Sequence, residues 1–213
     1  MKIFNTSQIR ELDSLTISEE KIESADLMER AAGQLFKWIS DRFGRSNRFI
    51  ILCGPGNNGG DGLALARMLA ANRYETEVFF VKVSDRTTDD WKHNKERLGK
   101  ETGISMETVD DIDKFPVSGQ DDVIIDAIFG SGLTRPATGI GADVIRKVNQ
   151  SDCTVISVDI PSGLFGEDNS SNTPDTIIRA DYTLSFQFPK LSFLLPDSGI
   201  YAGEWHLLSI GLS

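Results

Sequence analysis

Cysteine and histidine are scarce: the 213 residues contain two of each. Two cysteines cannot build a disulfide framework, and with two distant histidines they make no ordinary structural zinc site. Cys53 and Cys153 fall in the apolar runs FIILC and CTVISV, as buried thiols do. His93 lies in DDWKHNKERLGK, a solvated helix by composition, and His206 alternates within EWHLLSI, a strand. Neither suits a Ser-His-Asp arrangement, so catalysis must rest on carboxylates, hydroxyls and backbone. Positive charge is also in deficit, with 22 Lys and Arg against 32 Asp and Glu and a formal net charge of −10. Duplexes and membrane surfaces are bound through clustered Lys and Arg, so nucleic acid and membranes are excluded as partners. No apolar run approaches the roughly 18 residues of a membrane span. Residues 1–30 lack the apolar core of a signal peptide. A cytoplasmic location is expected.

What the chain does have is ordinary globular material, 39% hydrophobic and 25% charged, over a length that suits one domain with a substantial core. After Asn5-Thr6-Ser7, Ile9, Leu12 and Leu15 recur at helical spacing, and from Ser24 a broad apolar face runs through Leu27, Met28, Ala31, Ala32, Leu35, Phe36 and Ile39. These are N-terminal helices within 6–43, stopping at Gly44. An α/β core over 48–213 follows. Runs at 49–53, 78–83, 122–129, 154–160, 182–186 and 204–210 are rich in Val, Ile and Phe, with helices expected at 60–72, 88–102 and 139–150. Strands apolar on both faces and alternating with helices predict a Rossmann-like α/β/α sandwich with a mostly parallel sheet. No clear helix separates the last two strands, so that end is expected to be antiparallel.

In such folds ligands bind beyond the carboxyl ends of the strands, and three of those ends are unusual. After FIILC comes Gly54-Pro55-Gly56-Asn57-Asn58-Gly59-Gly60-Asp61-Gly62, with five glycines in nine positions, opening an apolar helix. Free N–H groups at a helix start suit a phosphate or pyrophosphate. Gly54, Gly56 and Gly59 satisfy G-x-G-x-x-G, and Asp85 lies where a ribose-binding acid would be. That motif is weak alone, and Pro55 and the Asn-Asn pair are foreign to it. A turning connector is the plainer alternative. The second end, Asp126 to Pro136, places an Asp in an apolar strand, costly unless it is paired, hydrogen-bonded or metal-bound. A Gly-Ser-Gly loop and Arg135 follow. The third, Val158 to Leu164, presents Asp159 and Ser162 on a turn shaped by Pro161 and Gly163. Asp126 and Asp159 fall on neighbouring strands, so one could serve as an acid or base. Alternatively, oxygen ligands from Asn58, Asp126 and Ser162 could hold a hard cation.

At these residues the chain resembles the YjeF N-terminal domain family of NAD(P)H-hydrate epimerases. GPGNNGGDGL (54–63), DAIFGSGLTRP (126–136) and VDIPSGL (158–164) carry the likeness, with echoes in SQIRELD (7–13), DLMERAA (26–32), FPK (188–190) and SIG (209–211). The resemblance implies interconversion of the R and S epimers of NADHX and NADPHX, with the dinucleotide as substrate rather than cofactor. It implies nucleotide contacts from Asn57, Asn58, Gly59, Gly60 and Asp61, from Gly130, Ser131, Gly132, Leu133, Thr134, Arg135 and Pro136, and from Asp159. It implies a potassium ion on Asn58, Asp126 and Ser162, a homodimer, and an ADP- or ATP-dependent NAD(P)HX dehydratase as functional partner. Asp159, at its strand end, is the expected proton shuttle. A non-catalytic nucleotide-binding scaffold of the same fold is the alternative function. Phe165 and Phe193 depart from the family pattern, which has a small polar or acidic residue and a glycine there. They bear on the rim of the pocket, where EDNSSNTPD is expected to be loose. Lys190 is either a site contact or an exposed lysine.

Overall fold

The computed structural model describes residues 2–116 and 118–212. Two helices lead, α1 (Thr6–Glu20) and α2 (Ser24–Ser40). Asn5 starts α1 reciprocally, its side chain accepting from the Gln8 N–H while the Gln8 side chain accepts from its own. Lys21, left-handed at φ 55°, ends it. α1 buries only Ile9 and Thr16, whereas α2 turns the stripe from Leu27 to Ile39 inward.

The core follows as β1 (Arg48–Cys53), α3 (Asn57–Ala71), β2 (Glu75–Val81), α4 (Asp89–Thr102), β3 (Met106–Val109), β4 (Val123–Ala127), α5 (Gly139–Val148), β5 (Thr154–Val158), β6 (Tyr182–Phe186), α6 (Pro196–Gly199) and β7 (Glu204–Leu208). The strands form one seven-stranded sheet in the order β3-β2-β1-β4-β5-β6-β7, every pairing parallel. Alternate residues of β1 show why its run is apolar throughout. Phe49, Ile51 and Cys53 pack with Leu35, Leu63 and Trp91 of α2, α3 and α4, while Ile50 and Leu52 pack with Val144 and Ile145 of α5 on the other face. The α/β/α sandwich expected from the sequence is therefore the fold. Among the described residues no helix is long and apolar enough to cross a membrane.

The structure departs from the sequence reading at four places. β7 is parallel to β6, not antiparallel. The connection over 187–203 coils through a 3₁₀ turn at Leu191–Leu194 and through α6, and that length suffices for a crossover to the same end of the sheet. β3 was not anticipated: METV buries only Val109 and carries no strand-like alternation. The polar stretch after Phe165 is tied down, not loose. Asn169 exchanges bonds with the Phe165 N–H (2.9 Å) and carbonyl (3.0 Å), and Asn172 donates to the Gly163 carbonyl (2.8 Å). Helix α3 also begins at Asn57, inside the glycine-rich loop.

The chain runs outward from β1 to β2 and β3, then returns to add β4 on the other side of β1. That reversal opens a crevice beyond the carboxyl ends of β1 and β4.

Candidate active site

Two loops form the floor of the crevice. The Gly54 N–H donates to the Ala127 carbonyl (3.0 Å), continuing the β1–β4 ladder, and a Cβ on Gly54 would lie 1.8 Å from the Ile128 oxygen. Glycine at 54 is thus a condition for the loops to touch. Gly59 has the same constraint, since its Cβ would lie 1.9 Å from the Gly54 oxygen.

Beneath them Asn58, Asp126 and Ser162 converge on one short stretch of backbone. Asn58 Nδ2 donates to the Phe129 carbonyl (2.9 Å), and Ser162 Oγ accepts from the Phe129 N–H (2.8 Å). Asp126, fully buried, accepts from the Ser162 N–H (2.8 Å) and from Ser157 Oγ (2.7 Å). Burial raises its pKa, and those bonds to the ionised form oppose the rise. Carboxylate, amide, hydroxyl and carbonyl oxygens together make a set that fits a hard cation such as potassium.

Beyond β5 the chain turns at Asp159, left-handed at φ 63°, a conformation disfavoured for a residue with a Cβ. Its Oδ1 accepts from Lys190 Nζ (2.7 Å), from the Phe186 N–H (3.2 Å) and from Ser185 Oγ (3.4 Å). Lys190 is 1% exposed and also reaches Ser185 Oγ (3.2 Å). The exposed-lysine alternative is thereby corrected: the end of β6 brings Lys190 back under the strand-end carboxylate. A buried ammonium is stable there because a charge partner and a hydroxyl both meet it.

Two further carboxyls face the same space. Asp61, on the first turns of α3, is driven well above the ordinary carboxylate range by burial and by Asp159, Asp13 and Asp90. Asp13, from α1, is raised to about 6 by burial and by Asp159, against the pull of Lys190 and Arg10. Among the described residues neither accepts or donates a hydrogen bond.

These groups line a cleft of about 560 Å³ that merges with a second compartment of about 300 Å³. Arg10, Asp13, Asn57, Asp61, Ser131 and Asp159 border both compartments. Asn58, Gly130, Gly132 and Leu133 border the larger, while Leu27, Ile210 and Leu212 make the smaller more apolar on one side. Gly59 and Gly60 are buried behind the wall, Gly60 against Met28. Thr134, Arg135 and Pro136 lie outside the lining, as does Asp85, whose carboxylate pairs with Lys82 (3.0 Å) in solvent. Phe165 and Phe193 are buried rather than on the rim, Phe193 packing with Ile160, Leu164 and Ile177. Arg10 and Asp13 had been given no role. Two signals were available: both fall in the SQIRELD echo (7–13), and helical spacing puts them on the stripe that holds Ile9 and Ile17.

The family model for YjeF-related protein N-terminus matches residues 24–192. Among curated proteins, the bifunctional NAD(P)H-hydrate repair enzyme Nnr of Thermofilum pendens is 36% identical over 97% of this chain, which spans only 40% of that enzyme's length. The NAD(P)H-hydrate epimerase of Lentilactobacillus buchneri is 33% identical over 95% of this chain and 91% of its own length. That of Rhodopirellula baltica is 31% identical, over 96% and 82%. The crystal structure of the yeast protein ynu0 shares the fold at 22% identity, with a TM-score of 0.77 over 98% of this chain and 88% of that one. Matched across most of its length by the family model and by these epimerases, the chain belongs to the family of YjeF-related protein N-termini.

Proposed function

We propose that this protein is an NAD(P)H-hydrate epimerase, interconverting the R and S forms of NADHX and NADPHX. The observation that carries the reading is the convergence of all three motif loops on one cleft at the sheet's reversal, with Asp159 lining it and Lys190 paired to that carboxylate from beneath. The relatives named as epimerases support it over 82% and 91% of their lengths.

The substrate carries a hydroxyl on the ring carbon next to the ring nitrogen. Inverting that carbon requires breaking and remaking its C–O bond or opening the ring. Asp159 is the proton shuttle: it handles the proton of the departing or returning oxygen while the nitrogen lone pair drives departure. Asn57, Asn58 and Asp61, with the 130–133 loop, hold the nucleotide. Gly59 and Gly60 let α3 start close against Gly54 and Met28, and Thr134 to Pro136 extend the contact outside the cleft. The side chains of Asn58, Asp126 and Ser162 would hold potassium, which would fix the loops and offset phosphate charge. Two free buried cysteines suit a reducing cytoplasm. A homodimer is proposed with the N-terminal helices at the contact. The S product would pass to an ADP- or ATP-dependent dehydratase.

The test is a coupled assay on mixed epimers with a separate S-specific dehydratase. The reaction should stall on the R form without this protein and run to completion with it. A stall unchanged by saturating protein contradicts the proposal.

A further inference from the structure

Asp159 is tied down. Three donors and a left-handed backbone fix its carboxylate. When the C–O bond breaks, the ring carbon becomes a planar iminium, and inversion requires oxygen to leave by one face and return by the other. A carboxylate fixed in this way cannot follow the oxygen to both faces, so a second proton-handling group is needed.

Helix α1 offers one. An amphipathic helix ordinarily turns apolar residues toward the body of the protein, but α1 lines the cleft with Arg10, Asp13 and Ser14 between Ile9 and Ile17. Arg10 lies against the second motif loop, with Nη2 2.6 Å from where a Cβ on Gly132 would be. One turn on, Asp13 borders both compartments, and among the described residues its carboxyl has no hydrogen-bond partner. The helix is placed by its ends. Thr6 donates to Glu167 through its N–H (2.7 Å) and its Oγ1 (3.0 Å), and Glu20 at the other end pairs with Arg30 (2.6 Å). Asp61 is the competing carboxyl, but burial, with Asp159, Asp13 and Asp90 beside it, drives its pKa well above the ordinary carboxylate range, which suits it less to giving and taking a proton in turn.

We infer that Asp13 is a second catalytic residue, exchanging a proton with the substrate oxygen on the face that Asp159 does not serve; this rests on the epimerase reading. From one epimer, protonated Asp13 gives its proton to the hydroxyl, the C–O bond breaks, water leaves, and the nitrogen lone pair forms the C=N⁺ bond. Water then adds to the other face and loses a proton to the Asp159 carboxylate, and the π pair returns to nitrogen. One hydroxyl leaves and one arrives, so no oxidant or reductant is required. The reverse direction starts from protonated Asp159 and the Asp13 carboxylate, and solvent resets the pair. The charged groups facing Asp13 are Arg10 on α1, Asp61 on α3, Asp159 after β5 and Lys190 after β6. Burial, reinforced by Asp159 and opposed by Lys190 and Arg10, raises its pKa to about 6, where it can both give and take a proton.

The experiment compares Asp13→Asn, Asp13→Glu and, as a control on the exposed side of α1, Glu11→Gln. Readouts are epimerisation kinetics, the pH profile of kcat/KM and NADHX binding. Asp13→Asn should lose at least about 100-fold in kcat with binding changed less than threefold, and Asp13→Glu should recover part of the loss. Wild-type kcat/KM should fall alike in both directions as pH rises through about 6, a limb belonging to the coupled pair. That limb should vanish in Asp13→Asn and shift in Asp13→Glu. Should Asp13→Asn fail to fold, the limb of Asp13→Glu decides alone. An active wild type with Asp13→Asn within threefold of its kcat, or with the limb intact in either variant, overturns the role of Asp13 only. A wild type inert toward both epimers overturns the epimerase reading, and this inference with it.

Discussion

Replacing Lys190 by methionine removes a charge but keeps most of the side-chain volume, so it isolates the ion pair beneath the cleft. Lys190 and Asp159 are 1% and 15% exposed and 2.7 Å apart. Breaking a buried pair by deleting one member costs about 3–5 kcal/mol, because the other charge is left without compensation. Here the cost is aggravated by Asp13 and Asp61, whose carboxyls share the space. At roughly 2–4 °C per kcal/mol for a chain of this size, Tm should fall by about 10 °C. Urea denaturation followed by circular dichroism should show the midpoint moving without a change in slope. The deficit should shrink toward about pH 4, as carboxylates around the missing ammonium take up protons. The double variant Lys190→Met/Asp159→Asn should be more stable than Lys190→Met alone, giving a coupling energy well above zero. Lys190→Met melting within about 2 °C of wild type, or a double variant with purely additive losses, would refute the reasoning.

Asp13→Asn should be stabilising. The native carboxyl titrates at about 6 instead of 3.8, so the folded chain binds its proton more tightly than the unfolded chain. Stability is therefore lost as pH rises from about 4 to 6, and the full penalty persists above that. The shift caps the effect at about 3 kcal/mol. Solvent screening of this partly exposed group reduces it to about 1 kcal/mol at neutral pH, and urea titrations at two pH values should find no gain near pH 4. Gly54→Ala should cost at least about 3 kcal/mol, because its Cβ meets backbone that cannot step aside. Gly56→Ala, with nothing within 4 Å, should cost about 1 kcal/mol or less, and paired thermal melts read the contrast. Replacing choline by potassium at constant ionic strength should raise Tm by roughly 3–6 °C at a tenfold excess over the dissociation constant. Ser162→Ala should blunt that response, and equal melts in the two salts would remove the cation from the account.

The parts legible in the sequence are those where chemistry conflicts with local pattern. Asp126 inside an apolar strand, Asp159 at the end of another and a glycine-dense turn after a third all mark the carboxyl edge of the sheet, and the fold brings them together there. The strands themselves were readable because burial on both faces removes polar residues from them. β3 was not readable, since an edge strand with one buried residue leaves no such trace. The direction of β7 depended on whether 187–203 could coil far enough to cross over, which length alone leaves open. The burial of Lys190 was hidden because its partner lies in a different motif, and only the β5–β6 pairing brings the two together. Asp13 was hidden by its helix. Its spacing relative to Arg10 and Ile17 was visible, but not that α1 would turn that stripe onto the cleft.

The most direct test of the central claim follows a single purified epimer of NADHX by chromatography or NMR, with this protein as the only enzyme present. The R form alone should approach the equilibrium mixture far faster than it does spontaneously, the S form should approach the same mixture from the other side, and Asp159→Asn should hold both near the spontaneous rate. Epimers that stay pure in the presence of protein that binds them, or an Asp159→Asn variant that equilibrates them as fast as wild type, would contradict the account.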